Sequence, residues 1–254
     1  MIPKVIHYCW LGGGRKPARV ERCIASWHKV MPDYEIIEWN ETNYDFTKQP
    51  YMEGALRAKK WGFVPDYARL DIIYTYGGIY LDTDVEALRP FDSLLGDGAF
   101  CGFESKTKVN LGQGFGSEVG NLAIKAMRDA YDDKVFVNND GTLNLVASPN
   151  IQSETLARMG LQNDNGNVQR IGCMTVYPRD YFNPKNMSSG RIEALTEHTF
   201  SIHHFDASWF TPRQKFIKWI VQHIGLWPAR VASLCMHNPI YIFRRAAEFL
   251  KNRA

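Results

Sequence analysis

No apolar run in these 254 residues is long enough to span a bilayer. The opening stretch, Met1 to Trp10, is interrupted by Pro3, Lys4 and His7, so it does not form the apolar segment of a secretion signal. Five cysteines, an odd number without a Cys-x-x-Cys pair, support neither a disulfide framework nor a zinc site. The setting expected from these absences is reducing and cytoplasmic. Internal repeats and low-complexity linkers are missing as well. So are the GxGxxG spacing of a dinucleotide turn and the Lys-Ser/Thr of a P-loop, which leaves Gly12-Gly13-Gly14 as a flexible turn. Large charge of one sign is absent too, but the net +3 hides a split. From Arg213 to Ala254, eight basic residues meet one acidic residue, a net +7 that leaves residues 1–212 at −4. A near-neutral body with a basic, aromatic tail speaks against a nucleic-acid partner and for contact with an anionic surface.

What is present begins with a hydrophobic content of 45%, enough to bury the core of one domain with a small appendage. Lys4 to Trp10 reads as a first strand and Pro17 to Val30 as a helix with Val20, Ile24 and Trp27 on one face. Tyr34 to Trp39 is a second strand. Leu56 to Gly62 and Asp66 to Tyr76 read as helices, the latter opened by Pro65 and closed by Gly77-Gly78. Strands alternating with helices predict an α/β fold with a mostly parallel central sheet, and ligands at the carboxyl ends of its strands. Asn121–Tyr131 and Ile151–Met159 are further helices. The expected organisation is a catalytic domain over 1–212 and a helical C-terminal extension over 213–254, with amphipathic pieces at Lys215–Ile224 and Pro239–Lys251.

The most informative segment is Pro65 to Val85, PDYARLDIIYTYGGIYLDTDV. The β-prone run Ile79-Tyr80-Leu81 leads straight into Asp82-Thr83-Asp84. On an extended strand, Asp82 and Asp84 would share one side. Two carboxylates placed together are costly unless a cation lies between them, and a hard divalent ion that also holds a phosphorylated substrate is the natural answer. A bare Asp-x-Asp is more often a solvated turn, and Asp66 with Arg69, one helical turn apart, could be only a surface ion pair. His203-His204, followed by Ser208-Trp209, offers an imidazole as a third ligand or simply a core histidine. Trp10, ending a strand, could stack on a base or belong to the core.

Taken together, the motifs resemble glycosyltransferase family 32, with its DXD sugar-binding region. That group includes yeast-type α-mannosyltransferases and bacterial capsular-polysaccharide enzymes, and the large clostridial glucosylating toxins share related motifs. The similarity is carried by Ile2–Gly12, Asp66-Tyr67-Ala68-Arg69, Tyr76–Asp84, and His203-His204 through Trp209. It is dense over residues 1–95, thin through the middle, and returns near 201–209.

The resemblance implies a GT-A-type, Rossmann-like fold, Mn²⁺ or Mg²⁺, and retention of anomeric configuration. Its donor would be a nucleotide-sugar, UDP- or GDP-hexose, and its acceptor a glycan or lipid-linked oligosaccharide in surface polysaccharide synthesis. It implies the base on Trp10, donor-sugar hydroxyls on Asp66 and Arg69, ribose or sugar near Tyr80 and Asp82, and the leaving diphosphate on Trp209. Metal ligands would be Asp84, Asp82 and one of His203 and His204. Asn150 and Gln152 are candidates for the acceptor side.

Three other readings compete. One is a protein-glucosylating, toxin-like transferase. Another is a haloacid-dehalogenase-type phosphatase, which would want Thr or Val where Glu86 stands. The third is a non-catalytic sugar-binding module. The basic tail predicts peripheral attachment to the inner face of the cell membrane.

Overall fold

The computed structural model describes residues 1–186, 189–193, 195–206, 216–217 and 219–220. The larger of its two units comprises Met1–Lys185 and Ile192–Trp209. In the other unit, Phe216, Ile217, Trp219 and Ile220 are helical. The remaining expectations for the tail, and Trp209, lie outside the described residues.

A seven-stranded sheet organises the unit, in the order β2-β1-β3-β6-β5-β8-β7. Its strands are β1 (Val5–Cys9), β2 (Glu35–Trp39), β3 (Gly78–Tyr80), β5 (Ala99–Gly102), β6 (Phe115–Ser117), β7 (Gln169–Ile171) and β8 (Met174–Tyr177). β1, β2, β3, β5 and β8 run one way, while β6 and β7 run against them. The α/β class with a mostly parallel sheet is therefore what the chain adopts. A separate two-stranded ribbon pairs β4 (Val85–Ala87) with β9 (Ser201–His203), antiparallel.

Alternation along the strands divides the core between the two faces of the sheet. Ile6, Tyr8, Ile79 and Phe100 bury against Trp27 of helix α1 (Ala18–Val30) and against Val85 and Ala87 of the ribbon. Cys9, Tyr80 and Cys101 point the other way. They meet residues of α2 (Pro50–Arg57), α3 (Pro65–Tyr76), α4 (Leu122–Asp129) and α5 (Ser148–Arg158). The chain expected to be helical over Leu56–Gly62 instead forms α2 earlier. Pro50 takes the first turn, the Gln49 side chain accepts from Met52 N, and Lys59 at φ 54° lies beyond its end.

Helix α3 delivers the chain to β3 through two glycines. Gly77 ends the helix at φ 67°. Gly78 sits at φ 94° with its backbone so close to β1 that a Cβ would stand 2.7 Å from Val5 O and 2.8 Å from His7 Nε2. Only glycine fits there, because both the dihedral and the space exclude a side chain. Parallel pairing then sets His7 opposite Tyr80, so Trp10 and Asp82 emerge at the same sheet edge.

Candidate metal and donor site

β3 stops at Tyr80, and Asp82-Thr83-Asp84 forms a turn closed by Val85 N donating to Asp82 O at 3.0 Å. The two aspartates are thus not neighbours on one side of a strand. They converge because the chain turns between them. On the far side the turn is pinned by Asp82 N donating to Gly112 O at 3.0 Å. Gly112 lies against the carboxylate so tightly that a Cβ would meet Asp82 Oδ2 at 2.1 Å.

The third member arrives from far along the sequence. Antiparallel pairing of β4 with β9 puts His203 opposite Val85, the residue after Asp84. His203 Nε2 stands 3.2 Å from Asp84 Oδ1. Ligand atoms of Asp82, Asp84 and His203 all fall within 4.8 Å of one another. The other Asp84 oxygen accepts from Asp206 N at 2.8 Å, which fixes the carboxylate's orientation. His204 is not part of this group. Its Nε2 faces Glu86 Oε2 at 2.9 Å and its Nδ1 faces Lys185 Nζ at 3.4 Å. Successive residues on an extended strand end face opposite ways, so one of the two histidines had to turn aside.

Behind Asp82 lies a buried ion pair. Arg69 Nη2 donates to Asp66 Oδ1 at 2.7 Å, and Nη1 stands 3.5 Å from Asp82 Oδ2. Arg69 Nε also donates to the Pro65 carbonyl at 2.9 Å. The Arg69 and Asp66 side chains are only 4% and 6% exposed, against 27% for Asp82. They support Asp82 from beneath and offer little open surface to sugar hydroxyls. Tyr80 differs from expectation more sharply. It is 1% exposed and packed under Arg69, with the guanidinium 5.4 Å from its ring. Strand alternation sends it into the core, where it cannot touch a ribose. Trp10 is half-buried at the end of β1. Its indole donates to Gly14 O at 2.8 Å, and Lys16 Nζ lies 5.6 Å from its ring.

Gln152, expected on the acceptor side, is fully buried, and its amide oxygen accepts from Leu111 N at 3.1 Å. It shapes the segment that carries Gly112. Asn150 is exposed on α5. Sequence reasoning missed Asn110, Gly112 and Glu104. Asn110 Oδ1 accepts from Gly112 N at 2.7 Å, while its amide nitrogen donates to Glu104 Oε1 at 3.1 Å. No local pattern marks these residues, because the bend they form has meaning only once Asp82 is beside it.

Electrostatics fit a cation. Burial pushes the Asp82 carboxyl above its ordinary range, with Arg69 opposing. Burial also opposes ionisation of Asp84, yet the neighbouring His203 and the Asp206 amide hold it well below the usual carboxylate range. Burial disfavours charge on His203, but the adjacent Asp84 raises its affinity for a proton. Oxygen ligands with one imidazole suit Mn²⁺ or a related ion. Asp66, by burial, is pushed up to about 6.

Residues 17–101 match the glycosyltransferase sugar-binding region containing DXD motif, a span that includes Asp66, Arg69, Asp82 and Asp84. An uncharacterized glycosyltransferase of Acanthamoeba polyphaga mimivirus is 22% identical over 208 residues, which are 78% of this chain and 82% of its own. Inositol phosphoceramide mannosyltransferase 3 of Schizosaccharomyces pombe is 32% identical over 102 residues. That match covers 37% of this chain and spans only 27% of the yeast protein. Among solved structures, the PaToxG glycosyltransferase aligns over 62% of this chain and 68% of its own, at 18% identity and a TM-score of 0.49. Through residues 17–101 the chain is similar to the glycosyltransferases that carry the DXD sugar-binding region.

Proposed function

We propose that the chain is a metal-dependent, retaining hexosyltransferase that takes UDP- or GDP-hexose as donor and a glycan or lipid-linked oligosaccharide as acceptor. The carrying observation is the convergence of Asp82, Asp84 and His203 within 4.8 Å. The mannosyltransferase name of the yeast relative favours a mannose donor. Surface polysaccharide synthesis at the inner membrane face is the role we assign, with the basic segment 213–254 as the contact. Pelleting with anionic liposomes, before and after its removal, tests that attachment.

A divalent ion held by Asp82, Asp84 and His203 would supply Lewis-acid stabilisation of the departing diphosphate. The chain's own residues do the rest. The Asp206 amide and His203 orient Asp84, and Arg69 opposes the penalty that burial places on the Asp82 charge. Trp10, at the same sheet edge, offers a face to the base. Each carboxylate near the centre already has a partner: Asp66 and Asp82 have Arg69, Asp84 has His203, and Glu104 has Asn110. That supports same-face attack, in which the acceptor hydroxyl passes its proton to the departing phosphate oxygen rather than displacing the donor through a carboxylate ester. Donor hydrolysis with Mn²⁺ across a panel of nucleotide-sugars identifies the donor. NMR of the first-formed anomer tests retention: an inverted sugar would exclude it.

A further inference from the structure

Lys185 stands out in the same region because, among the described residues, its charge has no anionic partner in contact. Its Nζ approaches His204 Nδ1 and His204 O, both at 3.4 Å. Among the described residues no carboxylate pairs with it. The acids whose fields it feels are Asp206, Asp84 and Glu86, and Arg19 adds a like charge. Each of those acids is already taken. Glu86 faces His204, Asp206 is bound by Arg19, and Asp84 is held by His203 and the Asp206 amide. Half-burial and the Arg19 charge both lower the ammonium's proton affinity, so the position works against the charge it carries.

The mounting is nonetheless deliberate in its geometry. With Nδ1 accepting from Lys185, the His204 ring carries its proton on Nε2 and donates to Glu86. His204 N donates to Asp84 O at 2.9 Å, which ties this platform to the metal-ligand turn. The ammonium is thereby held at the His204 backbone carbonyl, one residue after His203.

We propose that Lys185 is a second cation for the leaving diphosphate, donating to phosphate oxygens of a metal-bound nucleoside diphosphate and positioned by the Glu86–His204 pair. The inference rests on the nucleotide-sugar reading above. An incoming phosphate oxygen would give the ammonium the anionic partner it lacks, without displacing any bond already present.

Calorimetry with Mn²⁺ alone, then with UDP or GDP in Mn²⁺, tests it on wild type, Lys185→Met, Lys185→Gln and Lys185→Arg. Both neutral variants should bind Mn²⁺ as wild type does but lose roughly tenfold or more in nucleoside-diphosphate affinity, the scale of a charged hydrogen bond. Lys185→Arg should recover most of the loss. Unchanged diphosphate affinity in the neutral variants overturns the proposal and leaves the donor reading intact. Equal loss of Mn²⁺ affinity also overturns it, by making Lys185 a support for His204 only. A wild type that binds neither diphosphate in Mn²⁺ overturns both.

Discussion

His203 Nε2 lies 3.2 Å from Asp84 Oδ1, although the two residues are far apart in the sequence. The ribbon of β4 and β9 makes that contact, and with Asp82 it completes a three-residue group that could hold a metal ion. Loss of one ligand from a catalytic ion should remove several kcal/mol of transition-state stabilisation, or about two or more orders of magnitude in rate. His203→Ala and Asp84→Ala should both show this in Mn²⁺-dependent turnover, with weaker Mn²⁺ binding by calorimetry.

His204 supplies the contrast. Its ring is engaged with Glu86 and Lys185, away from the three ligands. His204→Gln should keep Mn²⁺ affinity close to wild type while His203→Gln does not. The reverse order in a Mn²⁺ titration would reassign the ligand.

The difference between these two histidines shows where the sequence was readable. Asp66, Arg69, Asp82 and Asp84 lie within one short segment, and its motif was legible without the fold. Their arrangement was less so. A strand was expected to carry both aspartates, but β3 ends at Tyr80 and a turn brings them together. Tyr80 beside the motif suggested a ligand contact, whereas alternation buries it. His203 could be named but not separated from His204, because the choice depends on pairing with β4. Gly112 and Gln152 act through packing against residues distant in sequence, and periodicity carries no trace of that.

Arg69 is the hinge of the buried charges. Replacing it with Met would leave Asp66 and Asp82 without their shared counter-charge, at a cost of about 3–5 kcal/mol. Denaturant unfolding should register the loss. Arg69→Lys should recover only part of it, since an ammonium cannot reach both carboxylates and the Pro65 carbonyl in one planar fork.

His7 sets an acid limit on stability. Burial lowers its pKa to about 4, from an ordinary value of 6.5, while Trp39 donates to its Nδ1 and its Nε2 contacts Gly77 O. The unfolded chain takes up a proton first as pH falls, so stability present above pH 6.5 drains away towards pH 4 and then levels off. The drop attributable to this residue is on the order of 3 kcal/mol. His7→Gln should be less stable at neutral pH but show a flatter profile between those limits in urea melts.

Trp10 tests the base contact apart from the metal. Trp10→Ala should weaken free nucleoside diphosphate and intact donor alike, by roughly 1–3 kcal/mol, the usual worth of a base stacked on an aromatic ring. Mn²⁺ binding in the absence of nucleotide should not change. A variant that loses the donor yet keeps the free diphosphate would move Trp10 to the sugar.

The central claim is that Asp82, Asp84 and His203 hold an ion on which donor cleavage depends. Slow hydrolysis of nucleotide-sugars by wild type and by Asp84→Ala, with Mn²⁺ and again with chelator, tests it most directly. The account predicts that wild type hydrolyses at least one hexose donor in Mn²⁺, that chelation abolishes this, and that Asp84→Ala is inactive in both conditions. Hydrolysis that survives chelation or the substitution would contradict it.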